Sequence, residues 1–393
     1  MIDKKEKKQC NGCKMCKDLC PKDAIRYIVD SEGFWYPQVD DAKCIQCGLC
    51  VKRCPNLNSC TSSMDAPEVK AAWSRNSETR LASTSGGIFF ELAKYIIQQG
   101  GYVAGCVYTE DCKAAKHVIV HTMEELPPLM VSKYLQSDTE GIYKQTKNLL
   151  DAKQNVLFVG APCHCAALRA YLNKEYSNLV VCDFICRGTN SPKAHRKYVE
   201  CLENKYGGKM ISLRSKDKRN GWNQFGQSAV FDNGQEYFAT REEDLRVVAY
   251  HHGNLMMRES CNACQFKKIP READITLADF WGISAEEVED IEKGISMVML
   301  NSLKGKRLFE QIKPQIRYID KTLADAEKGN VAIYESAPKG KNRDVFLKNL
   351  DKMPFDQLVD KYRDRPAPVY VRILRKIKRC LKKLGRKIIC CIK

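Results

Sequence analysis

The chain has 393 residues, of which 44% are hydrophobic, with a formal net charge of +17 and 21 cysteines. That length holds two or three domains with a sizeable core, while the charged opening MIDKKEKKQC lacks the apolar stretch of a signal peptide and no apolar run reaches the roughly 18 residues of a spanning helix. A cytoplasmic chain with reduced thiols is expected, so the cysteines point to metal or redox chemistry rather than to disulfides.

The first of that chemistry is at the N-terminus. Cys10, Cys13, Cys16 and Cys20-Pro21 follow the spacing C-x-x-C-x-x-C-x-x-x-C-P, and Cys44, Cys47, Cys50 and Cys54-Pro55 repeat it. Three thiolates at i, i+3 and i+6 wrap one cubane, and the fourth reaches the other cluster. Cys10, Cys13, Cys16 and Cys54 are therefore assigned to one [4Fe-4S] centre, and Cys44, Cys47, Cys50 and Cys20 to a second. A zinc reading would call for close cysteine pairs set further apart. Between the runs, Ile25, Tyr27 and Val29 alternate, and after a turn at Asp30 to Gly33 so do Phe34, Tyr36 and Val39, which predicts a hairpin walling off the clusters. The polar segment after Cys54 reads as a linker.

From about Ala66 the pattern becomes an α/β body with antiparallel additions, an α+β mixture. VKAAWSR (69–75) is expected as a strand and GGIFFELAKYIIQQGG (86–101) as an amphipathic helix, followed by strands at 102–109 and 116–122. NVLFVG (155–160) reads as a buried strand running into the helix of APCHCAALRAYLNK, and NLVVCDFIC (178–186) as a second strand. The helix after it starts at Ser191 with Pro192 in its first turn. AVFDNGQEYFA is a hairpin turning at Asn233-Gly234, and residues 294–312 form a further strand and helix.

The body has neither G-x-G-x-x-G nor a P-loop. ASTSGG (82–87) leads into a helix, and by itself it reads as an ordinary serine cap with a glycine-rich approach. Cys261-x-x-Cys264 stands alone, as half of a tetrahedral metal site or as a redox dithiol. Cys106, Cys112, Cys182 and Cys201 are expected as small buried side chains.

Taken together, STSGG, VSKYLQS (131–137), GAPCHCAALR (160–169), DFICRGTNSP (183–192) and ESCNACQFKKIPREADITLADFWGI (259–283) change this picture. With the N-terminal module they resemble the beta subunit family of coenzyme F420-reducing hydrogenases and dehydrogenases, over about residues 8–320. The resemblance implies an iron-sulfur flavoprotein oxidoreductase with FAD beside a third [4Fe-4S] cluster in the body. It exchanges electrons between a ferredoxin or other redox protein and a small-molecule substrate, coenzyme F420 or another. An electron-transfer subunit with no substrate site of its own is the alternative.

The resemblance supports Cys163, Cys186, Cys261 and Cys264 as the ligands of the third cluster, and the side-by-side ends of neighbouring parallel strands permit it. A four-cysteine zinc site and a dithiol stay open as competitors, and Cys165 is a substitute for Cys163. For the flavin the resemblance points to Ser83, Ser85, Gly86, Gly87, Ser132, Lys133 and Tyr134. Asp279, Trp281 and Gly282 sit at a strand-to-turn corner, where Trp281 either stacks on a ring or plugs the core. His251 and His252 read as structural or as proton donors, and no catalytic acid is named. Two positions depart from the family pattern: Arg187 stands for its usual histidine and Ala278 for its usual glycine.

The domains expected are residues 1–62 (ferredoxin-type), 63–330 (the body resembling that family, in parts of about 66–150 and 151–330) and 331–393 (a C-terminal extension). From Pro366 to Lys393 the extension carries ten Lys or Arg, no acid, and apolar residues at helical spacing. A basic amphipathic helix there fits an anionic membrane surface, giving a peripheral place at the inner face of the membrane. An acidic ferredoxin is the other occupant considered. No nucleic-acid partner is expected, since the charge is local and no recognition motif accompanies it.

Overall fold

The computed structural model describes residues 1–58 and 66–364; the basic stretch from Pro366 to Lys393 and its membrane-facing reading lie outside the described residues. The expected N-terminal hairpin forms from β1 (Ile25–Val29) and β2 (Trp35–Val39), with Ile25 opposite Val39 and Val29 opposite Trp35. Its turn is fixed by the Asp30 carboxylate, which accepts from the Glu32 and Phe34 amides. Gly33 adopts φ +85° there, and a Cβ on it would come within 2.2 Å of the Lys193 side chain. Glycine thus lets the hairpin tip close onto the body.

The body is built on strands β3 (Glu68–Ser74), β4 (Tyr102–Tyr108), β5 (Ala115–Val120), β6 (Ser137–Asp138), β7 (Val156–Val159) and β8 (Leu179–Phe184). They are followed by β9 (Met210–Asp217), β10 (Gly226–Phe231), β11 (Glu236–Thr240), β12 (Ile275–Asp279), β13 (Ser296–Leu300) and β14 (Ile316–Lys321). Nine of them make one sheet in the order β14-β3-β13-β12-β8-β7-β4-β5-β6, and β11-β10-β9 make a second. The middle of the large sheet, β12-β8-β7-β4, is parallel, and antiparallel strands extend it on both sides.

Strand β7 shows why its sequence is apolar throughout. Leu157 faces a core with Ile88, Leu92, Ile96 and Phe309, while Val156 and Phe158 face another with Tyr143, Leu168 and Val181. A strand covered on both faces has no polar side to show. The helix Ile88–Gln98 buries Ile88, Leu92 and Ile96 one turn apart. The helix Pro192–Tyr206 begins with the Ser191 hydroxyl accepting from the Ala194 amide and ends at Gly207 in the left-handed conformation. In the extension, Phe346, Leu347, Phe355, Leu358 and Val359 join Tyr198 and Val248 in one core. Among the described residues no helix is long and apolar enough to cross a membrane.

Candidate iron-sulfur site

Cys10, Cys13, Cys16 and Cys54 line one cavity, with Ile2, Met15, Tyr27 and Leu57 among its walls. The crosswise grouping expected from the spacing is thus the grouping in space. Burial raises the Cys13 thiol to about 12, and the neighbouring Cys54 and Cys10 add to the shift. The Cys16 thiol lies 3.1 Å from the Tyr27 hydroxyl. Burial disfavours the thiolates of Cys13, Cys16 and Cys54 unless a positive centre sits among them. Cys20 and Cys50, of the second set, pack against the small core of Ile2, Cys16 and Ile25, and Cys20 Sγ accepts from the Ala24 amide at 3.3 Å. Cys44 is half-buried and Cys47 exposed, so this second set lies toward solvent.

The first set is turned toward the body, whose side chains grip the backbone of its loop. Arg258 Nε donates to Cys10 O at 2.8 Å, and Gln136 Nε2 donates to Asn11 O at 3.0 Å. Thr139 and Tyr143 hydroxyls donate to Cys13 O at 2.7 and 2.9 Å, and Gln265 Nε2 donates to Pro55 O at 2.6 Å. Arg258 reaches further, to Trp35 O at 3.1 Å and Gln136 Oε1 at 2.9 Å, and is fully buried. Glu32 receives both terminal nitrogens of Arg343, at 3.0 and 2.6 Å.

Cys163, Cys186, Cys261 and Cys264 come together where β7 and β8 end. Burial drives the Cys163 thiol well up, with further contributions from Cys186, Cys264, Cys13 and Cys261. Cys13 of the first set is thus within electrostatic reach of Cys163. Burial likewise lifts Cys186 to about 12, with Cys261 raising it and the Lys267 ammonium opposing. Lys267 is held by Cys186 O at 2.6 Å and Ala332 O at 3.1 Å. The Thr189 amide donates to Cys261 Sγ at 3.4 Å, and the Ser336 hydroxyl accepts from the Cys264 amide at 3.0 Å. Arg271 Nη2 meets Asp183 Oδ2 at 2.7 Å, both buried, and its Nη1 donates to Phe266 O. That pair fastens the loop after Cys264 to the strand that leads to Cys186. Cys165 is turned away, toward Gly160 O and Cys182 O. Among the described residues no three or more His, Cys, Asp or Glu side chains are gathered closely enough to hold a metal ion.

The residues named for a flavin fall into two groups. In one, Ser132 Oγ donates to Thr84 Oγ1 at 3.3 Å, which joins the 131–134 segment to the 82–87 loop. Within that loop Ser83 is buried, Ser85 Oγ donates to Ile295 O at 2.9 Å, and the Gly86 amide donates to Ser296 Oγ at 2.9 Å. Gly87, at φ +89°, caps the following helix. The Lys133 ammonium donates to Pro128 O, and burial lowers its pKa to about 8. In the other group, Asp279 pairs with Lys216 and accepts from Trp222 Nε1 at 2.8 Å. Trp281 stacks on Trp222 with ring centres 4.7 Å apart, and Gly282 takes φ +86° at the corner. Trp281 thus has a protein ring for its partner.

Sequence reasoning missed Lys216 and Lys218. Lys218, lowered to about 7 by burial, donates to Ser85 O at 2.9 Å and Lys293 O at 2.6 Å. Both lie on or just past β9, in no motif, and their role appears only when that strand crosses the loop. The Arg187 guanidinium lies over the Tyr250 ring at 5.2 Å. His251 is exposed, and its carbonyl accepts from Arg187 Nη2 at 3.3 Å.

Residues 153–325 match the family model for the C terminus of the coenzyme F420 hydrogenase/dehydrogenase beta subunit, and residues 9–57 match a 4Fe-4S dicluster domain. Curated relatives align over short stretches. One component of the Na(+)-translocating ferredoxin:NAD(+) oxidoreductase complex of Acetobacterium woodii is 46% identical over 46 residues, 12% of this chain and 13% of the relative. The ferredoxin-type protein NapF of Haemophilus influenzae is 42% identical over 43 residues, 11% of this chain and 24% of the relative. A ferredoxin of Methanocaldococcus jannaschii is 36% identical over 50 residues, 13% and 64% respectively. The chain therefore spans less than two thirds of each of these relatives. A chain of the F420-reducing [NiFe] hydrogenase complex from Methanosarcina barkeri superposes with a TM-score of 0.46 at 15% identity, covering 76% of this chain and 90% of that one. The matches relate residues 153–325 to the C terminus of the F420 hydrogenase/dehydrogenase beta subunit and residues 9–57 to 4Fe-4S dicluster domains.

Proposed function

We propose that the chain is an iron-sulfur flavoprotein oxidoreductase that exchanges electrons between a ferredoxin-like partner and a small organic substrate. It would hold two [4Fe-4S] clusters in its N-terminal module, a third on Cys163, Cys186, Cys261 and Cys264, and FAD against the 82–87 and 131–134 segments. The observation that carries this reading is the gathering of those four body cysteines, with Cys163 within electrostatic reach of Cys13 of the first set. Bound, the clusters supply one-electron carriage and the flavin supplies exchange of an electron pair.

The chain's own residues account for the rest. The half-exposed set around Cys47 suits an encounter with a redox partner, whereas the set around Cys13 is enclosed by the body. Arg258, Gln136, Thr139 and Tyr143 fix the Cys10–Cys13 loop by its carbonyls, so the distance between the two enclosed sets does not drift. The Lys267 ammonium and the Thr189 amide place positive charge and a donor beside the body thiols, which favours their anionic form. For FAD the fit rests on charge. Among the described residues Lys133 has one carbonyl partner and no carboxylate partner, and Arg80, Arg214 and Lys216 lie within electrostatic reach of Lys218 near the 82–87 loop, where Asp279 answers part of their charge. Such a concentration of cations suits a pyrophosphate.

Anaerobic purification followed by iron, acid-labile sulfide and flavin analysis tests the proposal. About twelve iron and twelve sulfide per chain are expected, with about one flavin. Cys186→Ser should bring iron to about eight in a folded protein. Iron that stays at about twelve in that variant, or zinc recovered in its place, would remove the third cluster from the reading.

A further inference from the structure

The loop that carries the last two body cysteines is followed closely by three cations, Lys267, Lys268 and Arg271. Two of them have carboxylates: Lys268 Nζ lies 3.4 Å from Glu272 Oε1, and Arg271 Nη2 lies 2.7 Å from Asp183 Oδ2. Lys267 differs. Its ammonium donates to Cys186 O at 2.6 Å and to Ala332 O at 3.1 Å, and among the described residues no carboxylate pairs with it. Its own amide donates to Cys264 O at 3.4 Å. One lysine thus touches two of the four residues assigned to the third cluster, on two separate segments of the chain.

Its second anchor comes from the C-terminal extension. Ala332 precedes Ile333, which is fully buried. Beyond it the Ser336 hydroxyl accepts from the Cys264 amide at 3.0 Å, and Ala337 O accepts from Asn262 Nδ2 at 2.9 Å. Residues 332–337 therefore run along the Cys261–Cys264 loop as a strap, and they fall past residue 325, where the family match ends. A lysine on an open surface moves its charge about on a flexible stem, whereas this one is tied on two sides and its charge has a fixed place. Burial works against that charge, while Cys186, Cys264 and Cys261, within electrostatic reach, work for it. Arg271 is a further cation in reach, and Asp183 already answers it.

We propose that Lys267 sets the reduction potential of the third cluster, raising it, and that the 332–337 strap holds the lysine where it does so. The assignment rests on the function proposed above, which puts a cluster on Cys163, Cys186, Cys261 and Cys264. Reduction adds one negative charge to a site already ringed by four thiolates. A half-buried ammonium beside it stabilises the reduced form more than the oxidised one. A carboxylate paired with the lysine would cancel most of that effect, so the unpaired member of the three cations is the one that counts.

An anaerobic redox titration of the full-length protein at fixed pH, with iron counted in the same samples, tests this. The third cluster's signal is the part of the spectrum that Cys186→Ser lacks. Lys267→Gln drops the charge and keeps an amide donor for the two carbonyls. In it the reduced-to-oxidised ratio at a given potential should fall about tenfold, a shift of about 59 mV to more negative values for one electron. Lys267→Arg should return the potential to that of the unaltered chain. An unshifted potential in Lys267→Gln overturns the proposal, as does a shift in Lys267→Arg as large as that in Lys267→Gln. Loss of about four iron from Lys267→Gln overturns it too, because the lysine is then a brace for the cysteine loop. If the unaltered chain holds only about eight iron, the function proposed above falls and this assignment with it, whereas about twelve iron with an unshifted potential removes Lys267 alone.

Discussion

Arg258 Nε donates to the carbonyl of Cys10 at 2.8 Å, across 248 residues of chain. The same guanidinium holds Trp35 O and Gln136 Oε1, and its plane lies 4.3 Å from the Tyr36 ring centre. One buried side chain thereby joins the cysteine loop, the hairpin and the body.

Replacing Arg258 by lysine keeps the charge and loses the fork. A destabilisation of about 2–3 kcal/mol is expected, from buried acceptors left without donors. Urea unfolding measures it, and limited proteolysis should cut within residues 1–58 faster than in the unaltered protein. Unchanged cleavage would show that the module stays docked without the fork.

The pair of Asp183 and Arg271 offers a second handle. Burial pushes the Asp183 carboxyl above its ordinary value, and the Arg271 charge beside it opposes that shift. Asp183→Asn strands the guanidinium in the interior, which costs about 3–5 kcal/mol. Because the pair restrains the loop after Cys264, iron content should fall by about one cluster as well. Iron analysis of the folded fraction checks this.

His195 is a pH-sensitive element of the core. Its Nε2 lies 2.8 Å from Cys112 O, and burial, reinforced by the Arg246 charge, depresses its pKa to about 3. Below the ordinary histidine value the unfolded chain takes up a proton that the folded chain refuses, so stability falls as the pH falls. His195→Gln should reduce the loss between about pH 6.5 and about pH 5 by about 2 kcal/mol. Unfolding in urea at the two pH values, under anaerobic conditions, reads the difference.

Lys133 titrates at the alkaline end. With its pKa at about 8 it is charged at neutral pH and neutral above. If its ammonium faces the flavin pyrophosphate, FAD affinity is full below that value and should weaken about tenfold by about pH 9.5. Lys133→Arg keeps its charge throughout and should flatten the profile. FAD fluorescence quenching at both pH values is the measurement, and an equally steep profile for the arginine variant would remove Lys133 from the flavin site.

Much of this architecture could be read from local patterns. The buried strand at 155–160 appears as Val156–Val159, the helix from Ser191 as Pro192–Tyr206, and the Asn233-Gly234 hairpin as β10 and β11. These segments carry their own signals: a continuous apolar run, a capped start, a turn dipeptide. The expected grouping of Cys10, Cys13, Cys16 and Cys54 is repeated by the cavity they line, because three of them share one loop. By contrast, β14 has a half-exposed, charge-rich sequence and pairs with β3 from more than two hundred residues away, which no window of sequence reveals. Arg246, Lys216 and Lys218 were invisible for a related reason. A cation is ordinary on a surface, and only the packing of β9 and the helical turn after Asp244 makes these three interior.

The grip of the body on the cysteine loops has a consequence for the ancestry of such chains. Arg258, Gln136, Thr139, Tyr143 and Gln265 all reach main-chain oxygens of residues 10–13 and 55, never their side chains. A graft of another ferredoxin onto this body could therefore vary in the side chains of residues 10–13 and 55, but not in the length or trace of those loops, nor in Lys14, Lys17, Asp18 and Glu32, whose side chains pair with the body. Gly12 shows how strict the trace is, since a single methyl group there would fall 2.2 Å from Gln136 Nε2. Donor modules for a functional chimera are to be chosen by backbone superposition over two short turns, and overall sequence likeness is a poor guide to which will conduct.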